Sequence, residues 1–372
     1  MPLFKYEAVV AKSRCLYGKL LKTQDYDNLL KCSDVSDIAV YLHENTAYNE
    51  FLDESNLRKI NRSKLEYYIK RSMLGDYLKM YKFTFGNERY FISLLMAKYE
   101  FEYILSVWRE FVMKNADPNS VADLGTRDDE DHIISERLLE LQAIYKDNPR
   151  IDLESLQRIT TADQFINAIR NSSYFHVFEK YIHEDIFNNF TVIETAIYDE
   201  YYKMLHDGAK LFEKETREKI QDFISVEADF INLCRMSRMM FNFNAKPEEI
   251  APLLLPIRNR LTDNDINILL NSEDRESFLL YCQSYLKYGK KQSFHEYESM
   301  TSYMNSFMYK YYKSKINVGS SGFDVVIRYF HVKEYEVMNL FYLIEGIRYK
   351  MQPDYIRKYM YGLDYAAERG IV

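Results

Sequence analysis

His43-Glu44 is where the chain begins to spell a zinc site, and it goes no further. A metalloprotease helix carries its second histidine four positions after the first, and that position is Ala47. His132, His176, His183, His206, His295 and His331 stand apart from one another and read as surface or satisfied core residues. Asp128-Asp129-Glu130-Asp131 gathers enough charge to attract a cation, but adjacent acids lack the alternating ligands and the glycine of a calcium loop, so the run reads as a solvated connector. Gly319-Ser320-Ser321-Gly322 fits neither phosphate-binding glycine pattern. Cys15, Cys32, Cys234 and Cys282 are scattered, which suits buried thiols in a reducing compartment better than a disulfide frame. There is no nucleophile elbow of the GxSxG kind. The reading is therefore of no catalytic residue, no metal ligand and no cofactor.

What remains is a pair of asparagines in apolar company. Val337, Leu340, Phe341, Ile344 and Ile347 recur at the spacing of one helical face, and Met338, Tyr342 and Leu343 make the other side apolar too. Little of this helix should face water, yet Asn339 sits inside it. A buried amide without partners costs roughly 1–3 kcal/mol, so Asn339 is expected to be a polar clip between helices. Asn232, in Asp229-Phe230-Ile231-Asn232-Leu233, has the same setting.

Elements able to hold such groups follow from composition. With 11 glycines and 7 prolines in 372 residues, turns are few and helices long, and 16% aromatic residues supply a large core. The fold class is all-α. The spacing predicts helices over about 4–21, 56–81, 88–113, 132–145, 194–212 continuing through 223, 275–288 and 293–315, with residues 323–331 leading into the helix that carries Asn339. A net charge of −7 argues against nucleic-acid phosphate as a partner. No apolar leader and no stretch near 18 apolar residues is visible, so neither a signal peptide nor a membrane span is expected.

The chain also resembles itself. Leu30 and Leu156, Asp37 and Asp163, Asn45 and Asn171, and Tyr48 and Tyr174 are each 126 positions apart; Asp25 and Asp265, Leu30 and Leu270, and Tyr48 and Tyr288 are each 240 apart. An acid, an apolar residue, any residue, then Asn or Tyr and an aliphatic recur as Glu100–Ile104, Asp229–Leu233 and Glu336–Leu340, with Tyr103 in the place of Asn232 and Asn339. Three homologous helical units follow: 1–125, 126–250 and 251–372. Each is far larger than a solenoid repeat. A head-to-tail interface used three times closes into a ring if the rotation allows; an open row of three bundles is the competing arrangement. Asn232, Asn339, Tyr103, Tyr48, Tyr174 and Tyr288 are the residues that define the repeat structurally.

Lys12-Ser13-Arg14, the run Leu20–Leu30, Tyr41–Tyr48 with its L-x-x-T-x-Y turn, and Lys333–Leu340 with its KE-x-E-x-x-NL pattern together resemble the C subunit of bacterial and archaeal V/A-type ATPases, whose family includes the d subunit of the eukaryotic V-type ATPase. The resemblance covers nearly the full length. It implies a funnel of three helical units around a pseudo-threefold axis with a central cavity. It implies a non-catalytic rotor part, a socket joining the central-stalk subunits of the soluble motor to the membrane proteolipid ring in ATP-linked transport of H+ or Na+. It places the chain in the cytoplasm, peripheral on the membrane's cytoplasmic face. A coupler of this kind needs stiff helices and broad contact surfaces rather than a nucleophile, which agrees with the residues. A generic helical scaffold or adaptor, and an enzyme with an acid–base site in an axial cavity, are the other classes the residues leave open.

Overall fold

Side-chain caps decide where many of the helices begin. The Asp34 carboxylate accepts from Ser36 N and Asp37 N, Asn61 Oδ1 from Lys64 N, and Thr161 Oγ1 from Gln164 N. The computed structural model describes residues 6–114, 151–156, 158–181, 186–284, 300–314, 316 and 322–363. Its helices are α1 Glu7–Tyr17, α2 Thr23–Leu29, α3 Val35–Asn45, α4 Arg62–Phe83, α5 Gly86–Lys114, α6 Leu153–Leu156, α7 Ala162–Ala168, α8 Phe175–Tyr181, α9 Ile186–Gly208, α10 Lys214–Phe243, α11 Pro247–Ile250, α12 Asp263–Leu270, α13 Arg275–Ser284, α14 Met300–Lys313, α15 Asp324–Arg348 and α16 Pro353–Lys358. The described residues form no strand, so the all-α class stands. None of their helices is long and apolar enough to cross a membrane.

Two compact units result, Met1–Arg89 with Lys210–Val372, and Tyr90–Ala209. In the larger unit α15 is the hub. It packs on α1, α3, α4, α14 and α16, while α10 packs on α11, α12, α13 and α14. Of the 25 residues of α15, 18 are buried, including Asp324, Arg328, Lys333, Glu336 and Asn339. Tyr77 of α4 stacks on Phe330 with ring centroids 3.7 Å apart. A Cβ at Gly346 would lie 2.4 Å from Ile356 Cγ1, so the absence of a side chain there lets α16 fold back against α15. The smaller unit is built on aromatic rings. Trp108 of α5 meets Phe165 and Phe178, and Phe101 meets Tyr174, Tyr198 and Tyr201.

Packing is offset from the three expected units by one long helix. The smaller unit joins α5, late in the expected first unit, to α7–α9, from the expected second. Within the larger unit, α10, late in the expected second unit, packs on α12, α13 and α14, and α15, late in the expected third, packs on α1, α3 and α4.

Several sequence expectations are corrected. The first helix ends at Tyr17 rather than 21, because the backbone turns at Gly18; the expected start at 4 lies outside the described residues. Residues 56–81 are not one helix: a short 3-10 turn at Glu54–Lys59 precedes α4, which Asn61 caps. The expected run from 194 through 223 breaks at a 3-10 turn, Ala209–Leu211, between α9 and α10. Conversely, residues 323–331 are not a lead-in, since α15 is continuous from Asp324. Cys15 is exposed, not buried, and all four thiols are free. The expected helix over 132–145, the acidic run 128–131 and Tyr288 lie outside the described residues.

Candidate functional site

Glu336 is a carboxylate in the middle of an apolar helix, 4% exposed. Burial of a charge is tolerated only with partners. Its Oε2 accepts from Leu21 N at 2.5 Å, and its Oε1 accepts from the Tyr48 hydroxyl at 2.9 Å and from Lys333 Nζ at 2.7 Å. Lys333 Nζ also donates to the Tyr48 oxygen at 3.0 Å and sits over the Tyr48 ring. Burial, and then the Glu336 carboxylate, push the Tyr48 phenol well above its ordinary pKa, so it remains a donor at neutral pH. Further along the same face of α15, the Tyr329 hydroxyl donates to Asp76 of α4 at 2.5 Å. Tyr329, Lys333, Glu336 and Asn339 are four, three and three positions apart, so one side of one helix carries the whole series.

Asn339 completes that face. Its Nδ2 donates to Tyr361 O at 2.9 Å and its Oδ1 accepts from Tyr361 N at 2.7 Å. The clip thus ties α15 to the backbone just beyond α16 rather than to a second helix. Asn232 does the same from α10: its Nδ2 donates to Leu255 O at 3.0 Å and its Oδ1 accepts from Leu255 N at 2.7 Å. An amide offers a donor and an acceptor side by side, which suits it to hold one residue's N–H and C=O together. Asp229, three positions before Asn232, accepts from the backbone N–H groups of Asn259, Arg260 and Leu261.

The two acids therefore grip equivalent backbone. Leu21 and Leu261 are 240 positions apart, and each stands just before a short helix, α2 or α12. Those helices begin alike, with Asp25 accepting from Lys22 N and Asp265 accepting from Thr262 N. A tyrosine one helix later seals each of them: Tyr41 OH donates to Asp25 at 3.0 Å and Tyr281 OH to Asp265 at 2.8 Å. A recess of about 330 Å³ opens where Tyr17, Lys22, Tyr26, Lys313, Glu336 and Asn339 meet.

The remaining repeat-defining residues fall elsewhere. Tyr174 is fully buried in the smaller unit, against Phe101, with its hydroxyl 3.5 Å from Ala97 O. Tyr103 is buried in α5, and burial raises its pKa; among the described residues its hydroxyl has no hydrogen bond. It does not make there the clip that Asn232 and Asn339 make. Sequence reasoning singled out the two asparagines but assigned the neighbouring acids no task. The available signal was the acid itself, buried three positions before each asparagine. Its partners were hidden because Leu21 N is a backbone group 315 positions from Glu336. Among the described residues, no three His, Cys, Asp or Glu side chains are placed to share a metal ion.

The sequence has relatives. The model of the ATP synthase (C/AC39) subunit family matches residues 9–359. The chain belongs to that family. It is 21% identical over 246 residues to the C subunit of the A-type ATP synthase of Desulfurococcus sp. (strain SY), covering 66% of this chain and 60% of that protein. It is 23% identical over 250 residues to that of Methanosarcina acetivorans, covering 67% and 63%. With the corresponding Thermococcus kodakarensis protein it shares 24% over 247 residues, covering 66% and 60%. The matched region thus spans less than two thirds of the length of these relatives. The C/AC39 family is the one anticipated from Leu20–Leu30, Tyr41–Tyr48 and Lys333–Leu340.

Proposed function

We propose that this chain is a non-catalytic rotor component of a V/A-type rotary ATPase. Its three homologous units, 1–125, 126–250 and 251–372, stand around a pseudo-threefold axis and form a funnel with a central cavity. The funnel is a socket on the cytoplasmic face of the membrane, holding central-stalk subunits at one end and the proteolipid ring at the other. It couples ATP turnover to movement of H+ or Na+.

One observation carries this reading beyond family membership. The grip of Asp229 on Leu261 N is repeated by Glu336 on Leu21 N, so the third unit holds the start of the first as the second holds the start of the third. These grips, second on third and third on first, supply two of the three interfaces that a closed ring of three units requires. Closure resists torsion, as a socket that transmits torque must. The buried donors and acceptors of α10 and α15 serve this architecture, and no reaction step is assigned to them.

The test is a membrane reconstitution of the ATPase with and without this chain. Without it, ATP hydrolysis by the soluble part persists while ion movement stops, and adding the chain back restores coupling. Intact coupled transport in its absence overturns the rotor reading and leaves a scaffold role.

A further inference from the structure

The long helices α10 and α15 end alike, on an exposed aromatic residue at or just past the last turn and then a residue in the left-handed region: Phe243, 67% exposed, then Asn244 at φ 51°, and Tyr349, 62% exposed, then Lys350 at φ 54°. Asparagine tolerates this backbone; lysine has no such aptitude, and glycine would adopt it at lower cost. From Arg348 to Tyr355 all eight residues are exposed, among them Met351 at 43% and Tyr355 at 48%. In this exposed stretch Tyr349, Met351 and Tyr355 alternate with charged or polar residues, so apolar and cationic side chains share one surface.

The start of α4 adjoins this tip, because Arg62 pairs with Glu345 of α15. Its first turn and the 3-10 turn Glu54–Lys59 that precedes it carry further exposed cations. Arg58, Lys59 and Lys64 join Arg348 and Lys350 at the surface, against the exposed acids Asp53, Glu54 and Asp354. The balance is positive here in a chain whose net charge is −7. Tyrosine and methionine side chains interleaved with lysine and arginine match a boundary that is anionic outside and apolar just beneath.

We propose that this tip, residues 348–355 with the first turn of α4, docks on the anionic phospholipid surface. The cations engage headgroup phosphates, and Tyr349 and Met351 enter the interfacial layer. An acidic protein surface would satisfy the charges without needing an apolar layer continuous beneath them. The contact is separate from the socket role, since it needs only the full chain and a bilayer.

Flotation of the full chain with vesicles decides it. With roughly 30% phosphatidylglycerol in phosphatidylcholine the chain floats at low salt, and pure phosphatidylcholine vesicles leave it at the bottom. Each cation near an anionic surface contributes about 1 kcal/mol, so Arg348→Glu with Lys350→Glu lowers partitioning at least tenfold. Tyr349→Ser with Met351→Ser lowers it with the salt dependence unchanged. Circular dichroism of these surface variants matches the parent, excluding unfolding as the cause. Absence of flotation with anionic vesicles overturns the proposal. So does flotation that both double variants retain, or binding of the intact tip to an acidic protein partner with none to vesicles; neither result bears on coupling in the reconstituted ATPase.

Discussion

Two seams in the larger unit use the same parts under different constraints. At the first, Asp229 holds Leu261 N only 32 positions away; at the second, Glu336 holds Leu21 N across 315 positions. Loop-closure entropy grows with the logarithm of separation, so the long-range seam starts about 2 kcal/mol behind the short one. The bonding differs accordingly. Asp229 is satisfied by three backbone N–H groups. Glu336 has one backbone N–H and then recruits Tyr48 and Lys333, while Tyr329–Asp76, Arg62–Glu345 and Arg357–Asp27 add contacts between the first and third sequence units. Where the chain is nearly continuous, short local bonds suffice. Where the ends of the sequence meet, side chains of matched charge specify the register, and a buried ion pair is better suited to specificity than to net stability.

The comparison breaks most readily at Glu336. Glu336→Ala leaves the Lys333 ammonium buried without its carboxylate, and a loss of about 3–5 kcal/mol is expected in urea unfolding. Hydrogen exchange should show residues 21–48 losing protection ahead of the rest of the larger unit. Asp229→Ala strands three backbone donors and should cost about 2–4 kcal/mol, with the loss of protection confined to residues 255–262. Equal exchange over residues 21–48 in the two variants would show that the seams are not independent. Replacing Lys333 and Glu336 together with Met and Leu should recover much of the single-variant loss, because no uncompensated charge remains.

Asn339→Ala and Asn232→Ala test whether the two clips are equivalent. Each loses two hydrogen bonds of nearly equal geometry. Each should cost about 1–3 kcal/mol, with the pair agreeing to within about 1 kcal/mol. A smaller contrast separates two buried phenols. Tyr48→Phe removes a donor to a carboxylate and should cost about 1–2 kcal/mol, whereas Tyr103→Phe should be within about 0.5 kcal/mol of neutral. Calorimetric melting of the four variants measures all of these.

The smallest effect is a pH dependence beside the second seam. Hydrogen bonds from Lys79 and then Lys19 lower the Glu50 carboxyl to about 2. A carboxyl depressed in the folded state adds stability above its unfolded value, near 4.5, and that stability is lost as the pH falls toward 2. Glu50→Gln should therefore flatten part of the acid limb between these values and lower neutral stability by the same small amount, small because the pair is exposed.

Much of the fold was legible because it is local. The apolar period of 337–347 requires a buried helix wherever it is placed, and Thr161 with Gln164 caps α7 through neighbours in the sequence. Family membership was legible from motif order along the chain. Other features were not. The break between α9 and α10 at Ala209–Leu211 interrupts an apolar pattern that continues across it, and the α15 helix extends back to Asp324 through residues read as a lead-in. Neither depends on a local rule strong enough to read.

Sequence alone determined that the two asparagines are costly to bury, since that cost belongs to the side chain and its apolar neighbours; the burial of Asp229 and Glu336 beside them came from the structure. Only the tertiary structure decided what satisfies them. Leu21, Leu261, Leu255 and Tyr361 contribute backbone N–H or C=O groups, which every residue type but proline carries in full, so no residue identity announces the partner. The same limit explains the offset between sequence units and packing units. The expected repeat was read from side chains, whereas α10 and α15 are tied to their neighbours through backbone N–H groups that reach Asp229 and Glu336.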